Sequence, residues 1–138
     1  MKDTINEIQD EIIEEMSALD DWLDKYQYLI GLGRELQSPG PSFRTGKNAI
    51  GVFQSSLWVS AEIENGGMRF SADSYSVIVR GMLALLMRVL NGLPPEEIAE
   101  SNLYFLHKTG LITGLSPSRA NGLAHIVKSL RSLAAEKS

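Results

Sequence analysis

Apolar residues recur at helical spacing from the start of the chain. Ile5, Ile8, Ile12, Met16 and Leu19 share one face, and acidic residues occupy the other. Asp20 and Asp21 precede a second helical run, with Trp22, Leu23, Tyr26, Leu29 and Ile30 predicted on its buried side. Gly31 and Gly33 weaken its C-terminal end. Pro39 and Pro41 then exclude helix, because each removes a backbone donor and fixes φ. From Leu57 the period changes: Leu57, Val59 and Ala61 alternate with Trp58, Ser60 and Glu62, which predicts a strand. Asn65-Gly66-Gly67 predicts a hairpin turn, and Met68 to Ala72 the returning strand. A shorter strand before Phe53 would complete a three-stranded antiparallel sheet.

Asp73 and Ser74 are predicted to cap the next helix. Val77, Ile78, Gly81, Met82, Leu85, Leu86 and Val89 make that helix apolar nearly all round, so it should be central. Asn91-Gly92 ends it, and Pro94-Pro95-Glu96-Glu97 opens a short helix. Another short helix runs from Asn102 to Lys108 and stops at Gly110. Ser116 as N-cap and Pro117 at the first helical position start the last one, with Leu123, Ile126, Val127, Leu130 and Leu133 as its buried stripe. The fold class is α+β, helices packed on a small antiparallel sheet. A chain of 138 residues suits a single domain, residues 1–138. The helix within residues 1–19 is part of its core or peripheral to it.

The formal net charge of −4 argues against a general nucleic-acid binder, which needs a basic face. Acids crowd the first segment, and the tail after Ser101 is mostly basic. That asymmetry suits either solvated helix faces or a charged protein partner. The chain has no cysteine, which excludes disulfides, thiolate zinc sites and cysteine-ligated clusters. His107 and His125 alone make a poor metal site, so neither metal nor cofactor is expected. The acidic N-terminus lacks the features of a signal peptide, and Arg80 and Arg88 break the longest apolar stretch. A cytoplasmic protein without membrane contact is expected.

The segment Asn48-Ala49-Ile50-Gly51-Val52-Phe53-Gln54-Ser55-Ser56-Leu57-Trp58 resembles the active loop of the SufE family, Asn-x-Ile/Val-x-Gly-Cys-Gln-Ser-x-Val-Trp, without a gap. Further stretches match in order. They are Tyr26 to Gly33, Ala72-Asp73-Ser74 with Ile78-Val79-Arg80-Gly81, and Leu115-Ser116-Pro117-Ser118-Arg119 through Leu123. The resemblance implies a SufE/NifU-like fold, a role in iron–sulfur cluster assembly or sulfur mobilisation, and a SufS-like cysteine desulfurase as partner. It implies no enzyme activity beyond activating or regulating that pyridoxal-phosphate enzyme, and a monomer or weak dimer.

The resemblance also implies a partner-binding loop of Val52, Phe53, Gln54 and Ser55, with Asp73, Ser74 and Arg119 nearby. In the family a cysteine takes sulfur from the desulfurase, its thiolate attacking the outer sulfur of a persulfide. Phe53 occupies that position here, Val52 replaces the preceding glycine, Tyr75 a second acid, and Gly114 a frequent histidine. A phenyl ring has no nucleophilic atom, so there is no catalytic residue and no persulfide. Phe53 either packs inward under the loop or stands exposed as an anchor for a partner. Trp58 is either a packed strand residue or part of the site. Arg119 lies in a first helical turn, where the helix dipole does not favour a cation, so a specific role competes with a surface one. Arg80 interrupts an apolar helix and needs a partner; Asp73 is the candidate, and is otherwise an N-cap. The alternative function is a SufE-fold interaction or structural module without sulfur transfer, its isoleucine-striped first helix pairing with another subunit.

Overall fold

The computed structural model describes residues 4–19, 21–37, 39–44, 49 and 57–137. Its helices are α1 (Ile5–Ser17), α2 (Trp22–Glu35), α3 (Val77–Leu90), α4 (Pro95–Ala99), α5 (Phe105–Lys108), α6 (Leu111–Gly114) and α7 (Pro117–Lys137). Its strands are β1 (Leu57–Glu64) and β2 (Gly67–Ser74), with a 3-10 turn at Pro41–Phe43. The architecture is α+β, as the residue pattern predicts. Among the described residues the sheet has two strands rather than three. The segment expected to supply a third strand before Phe53 lies outside the described residues except for Ala49, which forms an antiparallel bridge with Trp58.

The hairpin forms as expected. Asn65 and Gly66 both have positive φ, 55° and 81°, which matches the twist of the strands they join. The outer edge of β2 is covered: Met68 N donates to Leu93 O at 2.8 Å, Gly92 N to Met68 O at 2.7 Å, and Phe70 N to the Asn91 side chain at 2.8 Å. The turn after α3 thereby satisfies backbone groups that an open edge would leave unpaired.

α3 is the centre of the core. Ile78, Val79, Met82, Leu83, Leu85, Leu86, Val89 and Leu90 are all buried along it. α2 lies against it at very close range. A Cβ on Gly33 would collide with the Val77 carbonyl, and one on Gly81 with the Leu29 carbonyl. Gly33 therefore does not end α2, which runs on to Glu35; with Gly81 of α3 it lets the two backbones touch. Asp21 caps α2, accepting from Asp24 N at 2.9 Å. Leu23, expected on the buried side, is 65% exposed, and Leu29 is the apolar side chain of α2 fully inside. The other expected positions, Trp22, Tyr26 and Ile30, are partly buried against the core.

On α1, Ile12 and Met16 are fully buried, and Ile5 and Ile8 pack half-buried against the same core. Gln9 is also buried, with its amide donating to Asn102 O at 3.1 Å and its oxygen accepting from Phe105 N at 3.1 Å. Such pairing removes the cost of an interior amide. Arg88 of α3 clasps Glu15 of α1 through Nη2 at 2.6 Å and Nη1 at 3.1 Å. Its hydrogen bonds hold the Glu15 carboxyl below its ordinary range, against a smaller opposing effect of burial.

The helix expected from Asn102 is confined to Phe105–Lys108, and a further helix, α6, follows it where the residue pattern marks none. Gly110, at φ 79°, starts α6 and allows the reversal between the two short helices. Among the described residues, no helix is long and apolar enough to cross a membrane.

Candidate functional site

β1 and β2 pair so that Leu57 lies opposite Ser74 and Trp58 opposite Asp73. These pairs form the end of the sheet remote from the hairpin turn. The chain reaches this end twice. Arg44, just after the 3-10 turn, donates from Nε to Asp73 Oδ2 at 2.8 Å, and β1 begins at Leu57. Ala49 bridges to Trp58 at the same place. The described residues that bracket segment 50–56 thus converge on one pair of strand ends. Val52, Phe53, Gln54 and Ser55 themselves lie outside the described residues.

Asp73 is fully buried and forms the hub of this end. Besides Arg44 it binds Arg80, whose Nη1 lies 3.3 Å from Oδ1, and the same Oδ1 accepts from Ser74 N at 2.9 Å. The candidate Asp73–Arg80 pair is therefore present. A buried carboxylate between two guanidinium groups is compensated for its lost hydration. Arg80 also donates from Nε to Gly33 O at 2.9 Å and from Nη2 to Leu36 O. One arginine of α3 thereby ties the end of α2 to the end of β2. The hydrogen bond with Asp73 raises the pKa of Arg44 further, beyond the opposing effect of desolvation.

Asp73 and Ser74 do not cap α3, contrary to the sequence expectation. β2 extends through both, and Ser76 is the N-cap, its hydroxyl accepting from Val79 N at 3.3 Å. The carboxylate of Asp73 is already engaged by two arginines. The buried Ser74 hydroxyl accepts from Ser76 N at 3.1 Å and so shapes the turn into the helix.

An aromatic layer lies over this network. Trp58 is buried, and Tyr75, 67% exposed, meets it edge to face at 5.3 Å. The Arg44 guanidinium stands 5.0 Å from the Tyr75 ring and 5.8 Å from that of Trp58. Trp58 is thus both a packed strand residue and a wall of the site. Tyr75 presents an exposed aromatic face where an acid would present charge.

Arg119 belongs to a second cluster. Ser116 caps α7 as expected, accepting from Arg119 N at 3.3 Å. The Arg119 Nη1 then donates to Tyr26 Oη at 3.1 Å, with its guanidinium 5.8 Å from that ring. This contact explains a cation in a first helical turn. Tyr26 packs edge-on against Trp22 at 5.3 Å, and Trp22 fills the space over Gly114. The structure therefore joins Asp73, Ser74 and Arg80 in one cluster and ties Arg119 to Tyr26 in another. Arg44 escapes sequence reasoning. It follows a proline-rich loop with no periodicity to mark it, 29 residues from its partner.

The arrangement can position a loop and present a rigid aromatic and cationic surface. It offers no nucleophile of the thiol kind, since the chain has no cysteine. Among the described residues no cluster of three or more histidines or acids could hold a metal ion.

The chain matches the family model SufE, described as the Fe-S metabolism associated domain, over residues 10–134. It is 38% identical over 127 residues to an uncharacterized SufE-like protein of Rhizobium etli, covering 88% of this chain and 86% of that one. An uncharacterized SufE-like protein of Synechocystis sp. is 36% identical over 126 residues, covering 89% and 77%. The chloroplastic/mitochondrial SufE-like protein 1 of Arabidopsis thaliana is 34% identical over 119 residues, covering 86% of this chain and 32% of that longer one. A hypothetical protein of Thermus thermophilus, known from a solution structure, superposes with a TM-score of 0.75 over 94% of each chain at 22% identity, a likeness of fold.

Proposed function

The chain belongs to the SufE family of Fe–S metabolism, and on that premise we propose that it docks on a pyridoxal-phosphate cysteine desulfurase and modulates it without accepting sulfur. One observation supports the reading: the described flanks of the loop are tied into one network while the thiol is missing. Asp73 is held between Arg44 and Arg80, and both described flanks of the loop meet at Trp58 and Asp73. Yet Phe53 stands at the acceptor position, and no cysteine exists elsewhere in the chain.

Sulfur transfer requires a thiolate that attacks the outer sulfur of the desulfurase persulfide and expels the enzyme's own thiolate. Phe53 has no lone pair to start that step. The surviving role is occupancy of the docking surface by the loop residues Val52, Phe53, Gln54 and Ser55 and by the exposed Arg119; Asp73 and Ser74, expected there too, are buried and instead hold the strand end that the loop leads into. Occupancy changes the rate at which other acceptors reach the persulfide, or the turnover of the enzyme itself. The rival role, α1 pairing with another subunit, loses Ile12, which lies inside this chain's own core, while Ile5 and Ile8 are only half-buried there.

Titration calorimetry with the desulfurase from the same cell tests the proposal. Binding with Kd of about 10 μM or tighter is expected, the range of a working transient interface. Absence of heat and of any change in desulfurase turnover at saturating chain would overturn it.

A further inference from the structure

We propose that the groove between α5 and α7 is a binding site for an amphipathic carboxylate, a small molecule with an apolar tail and one anionic head. The groove encloses about 540 Å³, within the range of small-molecule sites. Leu103, Leu106, Ile112, Leu123 and Val127 make its apolar lining. His107 from α5, and Lys128 and Arg131 from α7, are its ionisable groups.

The charge pattern runs against that of the molecule. The chain has 17 acids against 13 lysines and arginines, yet among the described residues no acid lines this groove. Three other cavities are each lined by glutamate: Glu97 and Glu100 in one, Glu35 in another, and Glu11, Glu14 and Glu15 in a third. An apolar groove with only basic groups selects a ligand whose head is negative.

Arg131 supplies a second observation. Its Nη2 donates to Ser101 O at 2.6 Å, which fixes the guanidinium against the chain between α4 and α5. Its Nε is buried and has no hydrogen-bond partner among the described residues. A buried donor without an acceptor is costly, and arginine offers a planar fork suited to a carboxylate. A small rotation of this anchored group toward an arriving carboxylate would supply the missing acceptor, with Lys128 adding charge on the same helix. The lining includes the small side chains of Ala124, Ser132 and Ala135, which leave room for a tail. The site stands apart from the Asp73 cluster and does not depend on desulfurase docking.

The test titrates decanoate, decanol and decyltrimethylammonium into the isotope-labelled full chain and follows amide shifts. Saturable shifts confined to the lining residues of α5 and α7 are expected with decanoate. Affinity should fall roughly tenfold in Arg131→Gln, the size of one lost charge-assisted hydrogen bond, and more in Arg131→Gln/Lys128→Gln. Ala124→Trp, at an exposed position, should block the groove and abolish the shifts while the circular dichroism spectrum is unchanged. Equal binding of the cationic amphiphile overturns the assignment, as do shifts spread over other surfaces or no shift at all. An acidic helical peptide that perturbs the lining residues when decanoate does not would make the groove a protein interface and also overturn it.

Discussion

Arg80 reaches from the central helix to the buried carboxylate of Asp73, with Nη1 3.3 Å from Oδ1, and fixes the strand end from which the loop scaffold is built. Arg44 holds the other oxygen at 2.8 Å. Asp73→Ala would leave two guanidinium groups facing each other without their shared anion. Breaking a buried pair from one side costs about 3–5 kcal/mol, and that loss is expected in chemical denaturation. The double variant Asp73→Ala/Arg80→Met should lose less than the sum of the single changes. Strict additivity would show that the two side chains do not act as a pair.

Gly33→Ala and Gly81→Ala should each destabilise the chain, although alanine normally favours helix. The added methyl meets a backbone carbonyl of the facing helix, which cannot rotate away. Overpacking of this kind costs about 1–3 kcal/mol, measurable as a lowered denaturation midpoint with an unchanged slope. A gain in stability at either position would contradict the close approach of α2 and α3.

Much of the fold is legible in the sequence, and the exceptions have physical causes. The helices with a broad apolar face, α1, α3 and α7, follow their periodicity closely because tertiary packing and pattern agree. Asn65-Gly66 specifies its turn because few residue pairs adopt positive φ together. The cap of α3 is ambiguous in sequence because Asp73, Ser74 and Ser76 are all good N-caps by type, and only the two arginines decide which is free to act. The tie of Arg119 to Tyr26 is not legible, since it spans 93 positions. Gly114 reads in sequence as a simple loss at the site, whereas Trp22 occupies its space.

That last contact gives a coupled prediction. Gly114→His should destabilise the chain because the new side chain displaces the Trp22 ring. Gly114→His/Trp22→Ala should recover part of the loss, so the two changes are non-additive. Equal costs with and without Trp22 would separate the two positions.

The Glu15–Arg88 clasp predicts a pH dependence. Its carboxyl is lowered in the folded chain, so its contribution is fully present above the ordinary carboxylate pKa of about 4.3 and fades as pH falls through the lower folded value. Glu15 and Arg88 are both partly exposed, so solvent screening keeps the loss below about 1 kcal/mol. Glu15→Gln should cost that amount at neutral pH and nothing in strong acid. A cost independent of pH would point to packing instead.

The central claim is that the partner surface is kept and the sulfur chemistry is lost. The most direct measurement isolates the complex with the desulfurase after turnover with cysteine and reads the intact mass of this chain. The wild type is expected to co-purify without added sulfur, and Val52→Gly/Phe53→Cys to co-purify carrying it. A wild-type chain that fails to co-purify, or that gains sulfur without a thiol, would contradict the account.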